Sequence, residues 1–362
     1  MSSGETIVAT SPKEDEEYLV AFTQAMISSV PLVLKAVMQL GILELLSESS
    51  AQLSPTQITS RLAIKNPDAA VTIDRMLRCL ASYAFLSCTL AQDKAGRPER
   101  LYGVGPRSKY LVTDQGKNMV QWLIFILDKV SLSGWFHLKD AVIKGEGDPF
   151  KLANGASVYD YSGIDPEFNH SFNIAMKCAS TQYMGKIMES YQGFENARTV
   201  VDVGGGIGEC LKLILSKHPH LRGKNFDLPY VVKEGLSYPG LEHVAGSFAD
   251  DPIPKGDALL VKWQFHGFGD EFGLQLLKKC CAALPVSGKV VVIDPISPEY
   301  PGTDLVTRTT FTSDMIMLGM TPGGKDRTLK EIEVMARAAG FGAMKVACRA
   351  FNMWVLELYK TS

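Results

Sequence analysis

His266, in the stretch VKWQFHGFGDE, is an imidazole placed directly after an apolar run. Imidazole titrates near neutral pH, so it can take the proton of a weakly acidic hydroxyl. A phenol, with a pKa of about 10, is a poor nucleophile at pH 7 until such a base acts on it. Two acids stand in comparable places, Asp294 in VVVIDP and Asp326 in TPGGKDRT. Either could accept from the ring N–H, fixing the tautomer and supporting the imidazole as it gains charge. Thr328 and Glu331 supply a capping box for the helix after Asp326, which leaves that acid free for such a role.

A second chemical feature is VVDVGGGIGE, residues 200–209. The dinucleotide fingerprint GxGxxG requires glycine at its sixth place, and counting from Gly204 puts Glu209 there. No GxxxxGK pattern follows either, so a P-loop is excluded. The pattern present is acid-x-G-x-G-x-G, from Asp202 through Gly204 and Gly206 to Gly208. Backbone amides at such a helix start suit a carboxylate, as on the methionine end of S-adenosylmethionine, better than a pyrophosphate. Asp227 in NFDLP, about twenty residues on, is placed to accept from ribose hydroxyls.

These residues need strand ends to hold them. After Arg198 the chain alternates short β-branched runs with helices: TVVDV, ECLKLILSKHP, KNFDLP, HVAGSF, DALLVKWQF, DEFGLQLLKKCCAAL and KVVVIDP. Strands apolar on both faces with helical crossovers imply an α/β fold with a parallel, doubly wound sheet. Ligands in such sheets sit beyond the carboxyl ends of the strands, where His266, Asp294, the glycine turn and Asp227 all fall. Residues 117–188 read as mostly helical, with Phe168, Phe172 and Met176 at i, i+4, i+8 on one face. That face suits core packing or an aromatic wall over a ligand.

The N-terminal part reads as helices followed by a hairpin. Residues 1–13 are expected to be a disordered tail. In AFTQAMISSVPLVLKAVMQLGILELL, Pro31 is expected to separate two helices whose excess apolar surface packs on a second copy of the chain. SPTQ, Ser54–Gln57, has a capping-box spacing with proline at the first helical position. A further helix over VTIDRMLRCLASYAF precedes two short runs around a polar turn, the outline of a winged-helix unit. Residues 1–110 carry eleven Lys and Arg against eleven Asp and Glu, too neutral for a phosphate-binding surface, so nucleic acid is not expected as a partner.

Composition bounds the remainder. The 362 residues are 46% hydrophobic and 21% charged with a net charge of −2, those of a folded globular protein. Seven scattered cysteines and six histidines show no metal-ligand spacing, so no metal is expected. No basic region leads into an apolar stretch at the N-terminus and no run reaches a membrane span, which points to the cytoplasm and to no membrane partner.

From about residue 16 to the C-terminus the sequence resembles the plant small-molecule O-methyltransferases of the caffeic acid type, which are S-adenosylmethionine-dependent and metal-independent. The resemblance rests on NPDAAVTIDRMLR, RLYGV, SGWFHLKDA, DPEFNHSFN, VVDVGGGIG, NFDLP, LEHVAGSF, VKWQFHGFGDE, ALPVSGKVVV and PGGKDRT. It implies a winged-helix-like dimerisation domain over 14–120, a helical substrate-lining region over 121–190, a Rossmann-like methyltransferase domain over 191–362, and a homodimer. His266 then matches the family's base, and Asp294 and Asp326 its flanking carboxylates. The second of these is usually glutamate, so Asp326 is expected to reach the ring only after a small shift or through water.

Asp202, Gly204, Gly206, Gly208, Asp227 and Lys262 fall at cofactor positions, with Ser247 and Phe248 on the adenine side. The family usually has an acid in place of Ser247, which Asp250 or Asp251 would have to replace. Phe168, Phe172, Met176, Trp263, Ile316 and Met320 fall at substrate-lining positions. Ile126, Ser162 and Thr321 stand where caffeate-type members carry larger polar groups. Gly267 stands where an aspartate commonly follows the histidine, and Phe268 where tryptophan is common. The implied reaction is methylation of a hydroxyl on a small aromatic of phenylpropanoid, flavonoid or alkaloid type. Methylation of an amine on the same scaffold and a non-catalytic donor-binding homologue are the alternatives.

Overall fold

The computed structural model describes residues 12–93, 95–112, 119–145 and 147–360. The chain divides into two compact units, Met1–Asp114 and Gln115–Ser362. Most of the expected tail lies outside the described residues, and the first helix already begins at Pro12.

In the first unit, helix Pro12–Met26 leaves Tyr18, Leu19, Val20, Phe22 and Met26 exposed, whereas helix Ser29–Gln39 buries Val30, Leu34, Val37 and Met38. The break between them is at Ile27 and Ser28 rather than at Pro31, which sits in the first turn of the second helix. Proline is tolerated there because no intrahelical partner awaits its missing N–H. Ser54 caps helix Pro55–Arg61: its hydroxyl accepts from Gln57 N–H, and Gln57 Oε1 accepts from Ser54 N–H at 2.8 Å. Helix Ala69–Ser82 leads to the antiparallel hairpin of β1 (Leu86–Gln92) and β2 (Pro98–Val104), which an isolated bridge from Leu53 to Tyr102 extends.

The second unit opens with short helices and one long helix, Pro166–Ile187, started by Asp165, whose carboxylate accepts from Glu167 and Phe168 N–H. The sheet that follows comprises β3 (Thr199–Val203), β4 (Arg222–Asp227), β5 (Leu241–Ala245), β6 (Ala258–Lys262), β7 (Lys289–Pro295), β8 (Phe341–Ala350) and β9 (Met353–Lys360), in the order β5-β4-β3-β6-β7-β9-β8. Its first five strands are parallel, as expected, but β9 pairs antiparallel with both β7 and β8, so the sheet is mixed at that edge. All five residues of β6 are buried and β7 is buried after its first, as a strand covered by helices on both faces requires.

The chain runs outward from β3 through β4 to β5, then returns to place β6 on the other side of β3. The ends of β3 and β6 therefore flank the switch point, where the crevice of such a sheet opens. Val203 and Lys262 are those ends, and the glycine turn and the His266 loop follow directly. Among the described residues, no single helix is long and apolar enough to cross a membrane.

Candidate active site

The turn after β3 is shaped by glycine. Gly204, Gly206 and Gly208 have φ of 70°, 60° and 92°, the left-handed region that costs other residues about 1–2 kcal/mol. Gly205 is required for a different reason: a Cβ there would overlap Asn225 Oδ1 and lie 2.6 Å from Asp202 Cγ. A Cβ on Gly206 would meet nothing within 4 Å, so the turn faces open space at that point.

Asp227, ending β4, accepts from Gly206 N–H at 2.6 Å with one oxygen and from Leu228 N–H at 2.7 Å with the other. Each oxygen keeps lone-pair capacity for a diol. Burial pushes this carboxyl up to about 6. Asp202 lies deeper, 1% exposed with Oδ2 unpaired, and burial pushes it up to about 7 against the pull of Lys262. Lys262 is buried in turn, which lowers its pKa, and its Nζ lies 3.4 Å from the centroid of the Trp263 ring. An open backbone cradle, an acid with free lone pairs, and a buried acid and amine fit a donor that carries a ribose diol and an amino-acid end.

The loop after β6 brings the base into place. Trp263 holds φ at 59°, a strained value for a non-glycine residue, and is fixed by Nε1–H donating to Met353 Sδ at 3.1 Å and by ring contacts with Trp122, Tyr183 and His266. His266 Nδ1 lies 3.1 Å from Asp326 Oδ1. The shorter acid therefore reaches the ring directly, without the shift or water expected from its length. With Nδ1–H donating to Asp326, the lone pair is on Nε2, for which no described residue provides a hydrogen bond.

Asp294 does not hydrogen-bond the ring as expected. Its Oδ2 accepts from Phe265 N–H at 3.2 Å and Oδ1 has no partner, while burial pushes its pKa up to about 7. It acts on His266 by charge and by anchoring the backbone one residue before it. Asp326 is also raised by burial, and its N–H donates to Asp314 Oδ1 at 2.7 Å.

One residue that sequence reasoning missed holds this loop. Arg327 is 1% exposed; its guanidinium donates to the carbonyls of Phe265 and Phe268 and, through Nε, to Asp270 Oδ1 at 2.9 Å. It thereby grips both sides of His266, from the position adjacent to the acid that orients the ring. Beside Asp326 in KDRT it reads from sequence as one more solvated charge; its adjacency to a candidate acid was the available signal.

Six of the expected substrate-lining residues gather in one apolar cluster: Ile126, Phe168, Phe172, Met176, Ile316 and Met320. Their helix face divides between two roles. Phe168 is buried against Phe125, Phe150 and Tyr161, with centroids at 5.1–5.9 Å, and is core. Phe172 and Met176 stay half-buried. Ser162 and Thr321 turn their hydroxyls toward the preceding helical turn, donating to Val158 O and Met317 O at 2.9 and 2.7 Å. On the adenine side, Asp251 folds back to accept from Ser247 N–H at 2.9 Å, and Phe248 packs edge-on against Phe268 and Phe272.

Comparison with known proteins shows the family. Residues 135–342 match the model of the O-methyltransferase domain and residues 23–114 that of the O-methyltransferase dimerisation domain. The chain is 46% identical over 363 residues to a caffeic acid 3-O-methyltransferase of Prunus dulcis, covering 99% of each. It is 46% identical over 352 residues to one of Catharanthus roseus, covering 96% of each. Among solved structures, human N-acetylserotonin methyltransferase in complex with SAM superposes with a TM-score of 0.83 at 20% identity, over 100% of both chains. A methyltransferase of calicheamicin biosynthesis in its SAH-bound form gives 0.78 at 21%, over 98% of this chain and 100% of that one. At those identities the structures speak for the fold.

Proposed function

The chain belongs to the plant S-adenosylmethionine-dependent O-methyltransferase family, and from that premise we propose that it methylates a phenolic hydroxyl of a phenylpropanoid-type acceptor with His266 as general base. The observation that carries the base assignment is the 3.1 Å contact from His266 Nδ1 to Asp326, which leaves Nε2 basic and without a protein partner. The curated relatives are named for methylation of a hydroxyl, which favours that acceptor over an amine.

S-adenosylmethionine supplies an electrophilic methyl group. The residues of this chain do the remaining work. The glycine turn, Asp202, Asp227 and Lys262 bind the donor, and Phe172, Met176 and Trp263 orient the acceptor ring. His266 Nε2 takes the phenol proton as the oxygen attacks, while Asp326 stabilises the imidazolium at Nδ1. Positioning is the larger contribution: fixing two reactants can supply roughly 7–11 kcal/mol, against about 10²- to 10⁴-fold for a general base. Since Ser162 and Thr321 donate into their own helices, an acceptor with a neutral tail fits this wall better than one with a free carboxylate. The dimerisation-domain match and the exposed apolar face of helix Pro12–Met26 support a homodimer.

Replacing His266 with alanine tests the assignment. Turnover of a catechol panel, scored by mass gain of one methyl, is expected to fall about 10²- to 10⁴-fold with S-adenosylhomocysteine affinity unchanged. Near-normal turnover removes the base.

A further inference from the structure

Tyr159 and Gly267 meet beside the base. A Cβ on Gly267 would fall 2.7 Å from the Tyr159 hydroxyl oxygen and 3.3 Å from the Trp263 carbonyl, so the phenol occupies the place a side chain would take. The Tyr159 ring is held there. It stacks on Phe268 at 4.9 Å and 23°, and Phe268 stacks on Phe272 at 4.2 Å. Behind the ring, Tyr230, three residues after Asp227, donates its hydroxyl to the Tyr159 carbonyl at 2.8 Å. Helix Val158–Ile164 is thus tied both to the loop after Asp227 and to the loop carrying His266.

Although the ring is fixed, no described residue hydrogen-bonds its hydroxyl. Burial, with Asp227 and Asp294 nearby, raises its pKa, so it remains a neutral O–H donor. A fixed, half-buried donor without a protein partner, within the electrostatic reach of both Asp227 and Asp294, is available to an acceptor from outside the chain.

We propose that the Tyr159 hydroxyl is a positioning group for the methyl donor, hydrogen-bonding bound S-adenosylmethionine, and that position 267 is glycine because this hydroxyl fills the space of any larger residue. The proposal rests on the donor site described above. Position 267, where the family resemblance places an aspartate, is thereby coupled to position 159: a neutral hydroxyl stands in place of a third carboxylate near the imidazole.

The test is calorimetric titration of S-adenosylhomocysteine into the full-length protein, its Y159F and G267A variants and the double variant, with steady-state kinetics on each. Y159F is expected to weaken binding and raise KM for S-adenosylmethionine by about three- to tenfold, the range of one net hydrogen bond. KM for the acceptor and the melting temperature without ligand are expected to stay unchanged. G267A displaces the phenol and is expected to weaken binding at least as much, with no further loss when it is added to Y159F. Unchanged affinity in Y159F, or equal losses in acceptor KM and melting temperature, reduces the hydroxyl to packing and overturns the proposal; additive effects overturn the pairing. A wild-type protein that binds no S-adenosylhomocysteine overturns the donor site itself, whereas tight wild-type binding matched by Y159F overturns only the role of Tyr159.

Discussion

Asp294 combines a functional position with an energetic penalty, and D294N separates the two. The carboxyl is 1% exposed, one oxygen has no partner, and burial moves it from 3.8 to about 7. At about 1.36 kcal/mol per pH unit that difference corresponds to about 4 kcal/mol of disfavoured charge at pH 8, which charge sharing with His266 and water entry reduce to about 1–3 kcal/mol. Asparagine keeps the shape and the acceptor for Phe265 N–H and removes the charge. The ligand-free variant is therefore expected to melt about 2–10 °C higher at pH 8. Because the native pKa is raised, the wild type recovers this stability as pH falls from 7 towards 3.8, where the folded state protonates while the unfolded chain is still ionised. The advantage of D294N should shrink through that window and vanish below about pH 4. Turnover should fall about 10- to 100-fold, since a neutral amide gives the imidazolium less support. Melting curves between pH 5 and 8 with parallel methyl-transfer rates check both halves. A stability gain equal at pH 5 and 8, or a loss at both, would refute the reading of Asp294 as a buried, penalised charge.

The loop clamp and the glycine turn give two further tests. R327K keeps the charge but cannot span Phe265 O, Phe268 O and Asp270, so stability should drop by about 3–5 kcal/mol by chemical denaturation and kcat about tenfold or more, with S-adenosylhomocysteine affinity within about threefold of wild type. G205A and G206A should fail differently. The first drives a methyl group into Asn225 and Asp202 and should lower the melting temperature sharply, whereas the second has room, costs roughly 1–2 kcal/mol in backbone strain and should chiefly weaken binding of S-adenosylhomocysteine in a titration.

The parallel part of the sheet was legible because β6 and β7 are buried on both faces and so appear as unbroken apolar runs between helices. The β8–β9 hairpin was not. Between its buried ends, β8 mixes half-buried and exposed residues without regular alternation and has two register shifts, and the hairpin turns at Phe351, whose φ of 55° carries none of the glycine that usually announces such a turn. Pro31 misled for a related reason: proline marks a helix interior as broken, yet the same residue is unremarkable in a first turn, and only the position of the start distinguishes the two cases.

At the site, residue type announced the base, the two acids and the glycine turn but not the Arg327 clamp, and the partnerships depended on geometry. Either Asp294 or Asp326 was an eligible partner for His266; the clamp of Arg327 on the carbonyls of Phe265 and Phe268 sets the loop so that Asp326 meets Nδ1 and Asp294 meets a backbone amide. The shorter acid suffices because the loop, rather than side-chain length, sets the distance. The same holds for the polar positions of the acceptor wall. Ser162 and Thr321 have hydroxyls that a pocket could use, but Ser162 sits within a helix and Thr321 at the cap that ends one, where each bonds the carbonyl four residues earlier and local backbone bonding takes the proton first. Polar residues at a pocket position therefore predict a polar pocket only when their side chains extend beyond their own helix, a condition that depends on length and leaves this wall apolar.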